Sequence, residues 1–163
     1  AYGGIAACYA SCIEKTIALL PEKPPLRVSI ERLVTRYIDA LIGLLLTKIL
    51  IEVYKNDLHA KVHGGDPFGV LAHAKEHRDA VVDELIKNKL QKLGEFFEHV
   101  GKPFVNHTSM IEFYRMHLML ALCVADYQTG REMVDKLKEY DPVDSAQVIS
   151  RNSELINTFD PPN

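Results

Sequence analysis

Cysteine is scarce in this sequence, with three residues in 163. That excludes a disulfide-built scaffold and a four-cysteine zinc site. Cys8 and Cys12 stand four apart on one face of an expected helix. Helical Cα atoms at that spacing are ~6 Å apart with side chains fixed in parallel, so a disulfide there would strain the helix. Cys123 lies in the apolar run LMLALCVA and reads as a small core residue. All three are expected as free thiols.

Long uncharged apolar runs are missing too. The most apolar stretch is uncharged only over Ala40–Thr47, and Asp39, Lys48 and Glu52 interrupt it. A span needs ~20 apolar residues, so no transmembrane helix is expected. Attachment at a membrane surface is not excluded by this. Strand-length alternation is absent, as are the Asn-Gly and Asp-Gly hairpin turns. The chain also lacks a Gly-x-Ser-x-Gly elbow, a Gly-x-Gly-x-x-Gly loop, a Walker loop and a His-Glu-x-x-His motif. Basic charge is in slight deficit: 19 basic against 22 acidic side chains, net −3. That argues against a nucleic-acid binder acting through its overall field. Residues 131–163 alone hold four basic and seven acidic side chains, an acidic solvated end.

What is present is helical periodicity. In Ile30–Tyr54 the positions Ile30, Val34, Tyr37, Leu41, Leu44, Lys48 and Ile51 recur at alternate spacings of four and three, and only Lys48 is not apolar. A second apolar row runs through Ile38, Ile42, Leu45, Ile49 and Val53. Two rows predict a central helix, Val28–Asn56, contacted on more than one side, with Ser29 as N-cap. Arg32, Arg36, Asp39 and Gly43 form its polar strip. A first helix, Ile5–Leu20, is expected to bury Ile5, Cys8, Cys12, Ile13, Ile17 and Leu20, and to stop at the stiff connector Pro21–Pro25.

A third helix is expected from Pro67 to Val100. Its core face is Leu71, Ala74, Val82, Leu85, Leu93, Phe96, Phe97 and Val100, with a bend near Lys87–Lys89 or Gly94 and Gly101 as C-cap. Ser109–Glu112 and Thr129–Glu132 both match a capping box, which sets the start of a fourth helix and a short helix ending at Tyr140. Asp141-Pro142 opens a last helix, Val143–Asn157, ahead of a loose tail from about Phe159 to Asn163. The composition and length fit one domain, 1–163. The fold expectation is all-α: an antiparallel bundle of about four main helices plus one or two short ones.

Seven histidines are the most informative polar feature. His59-Ala-Lys-Val-His63 and His73-Ala-Lys-Glu-His77 are look-alike i, i+4 pairs on either side of a Gly-Gly-Asp-Pro turn. Four imidazoles at this spacing are a candidate transition-metal site, set against the plainer reading of solvated helix-end histidines. His99 suits the negative end of a helix dipole. His107 falls in a loop, within the glycosylation sequon Asn106-His107-Thr108. His117 sits on an otherwise apolar helix. It reads as a half-buried histidine hydrogen-bonded to another helix, or as an axial ligand to a tetrapyrrole.

Two functional expectations follow. The first is a non-catalytic helical subunit that packs against other protein subunits, with Arg32, Arg36 and Asp39 as contact residues. A chain that begins at Ala1 rather than Met fits an organellar or exported assembly. The second is a bundle that binds a metal or a tetrapyrrole through His73/His77 or His117; no cofactor is favoured over none.

Overall fold

Proline sets the first corner. The computed structural model describes the backbone of residues 2–56 and 80–162, and the side chains of 7–43, 84 and 87–162. Helix α1 (Tyr2–Leu19) ends just before Pro21, and a 3-10 turn over Pro24–Leu26 feeds straight into α2 (Arg27–Asn56). That turn supplies the entry bonds itself: Leu26 N–H donates to Lys23 O, and Arg27 N–H to Pro24 O. Ser29 is therefore inside α2 and caps nothing. The short link folds α1 back along α2, and these two make the most extensive helix pairing among the described residues. The buried side of α1 is narrower than its sequence implied. Ile13 is fully buried and Ile17 and Leu20 are half-buried, but Cys8 and Cys12 are exposed.

On α2 the expected rows point inward as far as Ile42; the side chains of Leu44, Leu45, Lys48, Ile49, Ile51 and Val53 lie outside the described residues. Ile30, Val34 and Ile38 are buried, and Leu33, Tyr37, Leu41 and Ile42 flank them. Helix α2 touches α1, α3 (Ala80–Phe96) and α4 (His107–Cys123), so it is contacted on more than one side. Among the described side chains the most enclosed helix is nevertheless α4, where Met110, Ile111, Phe113, Tyr114, His117, Leu118, Leu120, Ala121 and Cys123 are all buried.

Helix α3 runs unbroken through Lys87–Lys89 and Gly94, burying Leu90 and Leu93. The expected start at Pro67, and Leu71 and Ala74 with it, lie outside the described residues; the side chains of Val82 and Leu85 do too. The chain does not stop at Gly101. It widens into a π-helical turn, Phe97–Gly101, then a 3-10 turn, Lys102–Phe104. Gly101 keeps a helical φ of −79° rather than a left-handed capping one. Packing there is close: a Cβ would sit 3.1 Å from Val34 Cγ1 on α2, so a side chain at 101 would press on that valine. Phe97 occupies the hub of the turn, stacked on Phe113 at 3.9 Å between centroids and edge-on to Tyr114 at 5.6 Å.

Helix starts fall three residues ahead of the two capping-box patterns. Asn106 caps α4, its Oδ1 accepting from Ser109 N–H at 2.8 Å, so His107 opens the helix instead of lying in a loop. Asp126 caps α5 (Tyr127–Tyr140), accepting from Thr129 N–H at 3.2 Å and Thr129 Oγ1 at 2.7 Å. The break lies at Val124–Asp126, and Gly130 is inside α5. Helix α6 begins at Ala146 rather than Val143 and ends at Phe159. Asp141 instead holds a pin: Arg115 of α4 donates to Asp141 Oδ2 (3.1 Å) and to Ser145 Oγ (2.8 Å), and Ser145 Oγ donates to Asp141 Oδ2 (2.6 Å). This fastens the α5–α6 turn to α4. At the far end, Phe159 stacks on Tyr127, and Asp160 accepts from Arg131. The described residues are all-α, with no strand.

The α4–α5 corner is a Schellman motif. Asp126 N–H bonds to Ala121 O (2.9 Å) and Ala125 N–H to Leu122 O (3.1 Å), with Ala125 left-handed at φ 57°. Alanine pays a steric penalty there that glycine avoids. Ala125→Gly is expected to stabilise the protein by about 0.5–1 kcal/mol in urea unfolding. A loss of stability would show that the corner's geometry is set by something other than this cap.

Candidate functional site

The candidate side chains gather at two concave regions of the described surface. The first sits between α2 and the segment entering α4. It is a groove of about 510 Å³ lined by Arg27, Glu31, Arg32, Thr35 and Arg36 of α2 and by Pro103–Asn106 and Ser109. Helical spacing explains the first wall: positions 32 and 36 are one turn apart and share a face. Arg27 is anchored by donating to Pro103 O (2.5 Å), with its guanidinium 4.9 Å over the Phe104 ring. Arg32 and Arg36 are exposed, and among the described residues no ion pair holds either. Three guanidinium groups against one carboxylate make this a basic groove on a net-acidic chain.

The expected contact trio is divided. Arg32 and Arg36 line the groove, while Asp39 lines a neighbouring cleft of about 110 Å³ with Ile42, Glu112 and Met116. The two concavities share Thr35, Val105 and Ser109, so they adjoin along one flank of α2, polar in the groove and largely apolar in the cleft. Arg27 and the Pro103–Asn106 wall carried no signal in sequence, because a chain turn brings them together.

The second site is a cavity of about 420 Å³ between α3, α4 and α5. Its lining includes Gly94, Glu95, Glu98 and His99 from α3 and the π-helical turn, Phe113, Tyr114 and His117 from α4, and Thr129, Glu132, Met133 and Lys136 from α5. Glu98 is its electrostatic centre. Tyr114 donates to Glu98 Oε1 at 2.8 Å, with Lys136 Nζ 3.6 Å from the same oxygen and Lys102 Nζ 3.5 Å from Oε2. Lys102 also donates to Tyr140 O–H at 2.8 Å. Burial alone would raise the Glu98 carboxyl, but the Tyr114 hydrogen bond and the two ammonium charges outweigh it and hold its pKa below the ordinary range. The Tyr114 hydroxyl is pushed well up, by burial first and by its bond to Glu98 second. The Lys102 ammonium is favoured mainly by its Tyr140 bond.

His117 departs from expectation. It is only 2% exposed, more buried than a half-buried core histidine, and neither Nδ1 nor Nε2 has a hydrogen-bond partner. Burial pushes its pKa down to about 4, against the opposing pull of Asp126 and Glu98. The ring fits because position 94 is glycine: a Cβ there would lie 2.9 Å from His117 Cε1. The sequence marked His117 as unusual but gave no sign of the glycine opposite it.

His59, His63, His73 and His77 lie outside the described residues. Among the described residues no three histidine, cysteine or carboxylate side chains gather as a metal cluster, and no helix is long and apolar enough to cross a membrane. No family model, curated protein or solved structure matches the chain.

Proposed function

We propose that this chain is a non-catalytic helical subunit that packs against another protein through the polar flank of α2. The carrying observation is the basic groove: Arg32 and Arg36 stand exposed on one helix face beside anchored Arg27, on a chain whose net charge is −3. Guanidinium groups present a planar fork that matches carboxylates two bonds at a time. The partner surface that fits is therefore acidic, an Asp- or Glu-bearing segment laid along α2. The fixed backbone wall at Pro103–Asn106 gives such a segment a rigid edge to seat against. Solvated arginines lose little when left alone, so the groove does not destabilise the free subunit.

The test is a paired charge reversal. R32E/R36E is expected to keep its helical circular dichroism, because both residues are exposed. Its retention in the native assembly is expected to fall tenfold or more, since like charges placed against an acidic partner cost several kcal/mol. Retention equal to wild type would remove the groove from the account.

A further inference from the structure

The cavity beside His117 is separate from the α2 flank, and it has features that a packing defect does not produce. A void in a helical core is ordinarily lined by apolar groups and stays dry. This one mixes apolar Phe113, Tyr114 and Met133 with charged Glu95, Glu98, Glu132 and Lys136 in its lining. Within it lies a histidine with both nitrogens buried and unpartnered. Buried polar atoms are nearly always bonded, so an orphaned imidazole in a cavity wall marks a place where a partner belongs.

The charges say which partner. Lys136 is already engaged with Glu98, and Glu98 also takes Tyr114 and Lys102. Glu95 meets only the neutral Gln91 amide, at 3.2 Å, and Glu132 is exposed. The uncompensated charge of the lining is negative, contributed from α3 and from α5. An anionic ligand would be repelled, and that includes a tetrapyrrole carrying carboxylates. A positive ligand would be attracted, and the aromatic walls add cation–π attraction for it.

We propose that the α3–α4–α5 cavity binds a small amphipathic organic cation, an amine on an aromatic or apolar body. The body lies against Phe113, Tyr114 and Met133, the ammonium faces Glu95 and Glu132, and a polar atom of the ligand bonds His117. Gly94 is what leaves room for the imidazole in the cavity lining: a methyl group at that position would lie 2.9 Å from His117 Cε1 and force the ring to move.

The probes are 2-phenylethylamine and 3-phenylpropanoate, which share a body and differ in charge. The readout is the Cε1–H resonance of His117 in the full chain labelled with ¹³C-histidine, assigned by its loss in His117→Asn. The amine is expected to shift that resonance saturably, and the carboxylate to leave it in place. Glu132→Gln, a surface change that does not threaten folding, is expected to weaken the amine at least fivefold. Gly94→Ala is expected to abolish the amine-induced shift while the chain still unfolds cooperatively. No shift with either probe would leave water as the occupant and overturn the proposal. Equal shifts with both probes, or unchanged amine affinity in Glu132→Gln, would overturn it as well.

Discussion

Acidification from pH 6.5 to pH 4 is expected to remove about 3 kcal/mol of folding stability through His117 alone. Burial lowers the folded-state pKa of this histidine from 6.5 to about 4. In the unfolded chain the ring takes up its proton near pH 6.5; in the folded chain it resists until about pH 4. Over that interval the unfolded state binds more protons, so stability is fully present above pH 6.5 and is lost as pH falls toward 4. The Glu98 pKa is also depressed, and its contribution is lost at lower pH, below the ordinary carboxylate range. Urea midpoints taken every half pH unit, for wild type and His117→Phe, separate the two. The wild-type curve is expected to fall between pH 6.5 and 4.5, where the His117→Phe curve stays nearly level. Parallel curves would mean that the ring is already paired or solvated in the folded protein.

Phe97→Ala is expected to cost about 3–5 kcal/mol, the range for removing a buried aromatic side chain. Phe97 is fully buried and joins three parts of the core. It stacks on Phe113 of α4, meets Tyr114 edge-on, and shares its turn with Gly101, against which Val34 of α2 packs. The neighbouring rings are both held on the enclosed helix α4, so they cannot collapse far into the space left behind. The loss should appear as a lower denaturant midpoint at unchanged slope. A cost under about 1 kcal/mol would show that the π-helical turn is not the hub described here.

Which parts of this were legible in sequence follows from what each signal measures. Ile30, Val34 and Ile38 declared their burial because helical periodicity reports a buried face directly. Pro21, and Pro24 after it, declared the first corner because a proline's missing N–H and its ring stop a helix that is already running. Caps were less legible. Ser109 and Thr129 matched a capping box, but Asn106 and Asp126 stand three residues earlier and cap equally well, and a pattern match cannot rank them. Gly101 looked like a helix end because glycine favours one; its close packing against Val34 depends on a helix distant in sequence. The α4–α5 corner carries alanine where a left-handed residue is usually glycine, so nothing announced it. The same limit applies to the sites. Arg32 and Arg36 were visible as one polar face, whereas the groove they line and the cavity at His117 both depend on side chains that meet only after folding.

The central claim is that this subunit works in company. Its most direct test is mass spectrometry of the protein isolated from its source under gentle, native conditions, with an absorbance spectrum taken on the same sample. The account predicts the chain inside a larger protein assembly, in fixed stoichiometry, with no visible colour of its own. The chain recovered alone, at the mass of a single copy and carrying stoichiometric metal or pigment, would contradict it and move the protein's function to the histidines.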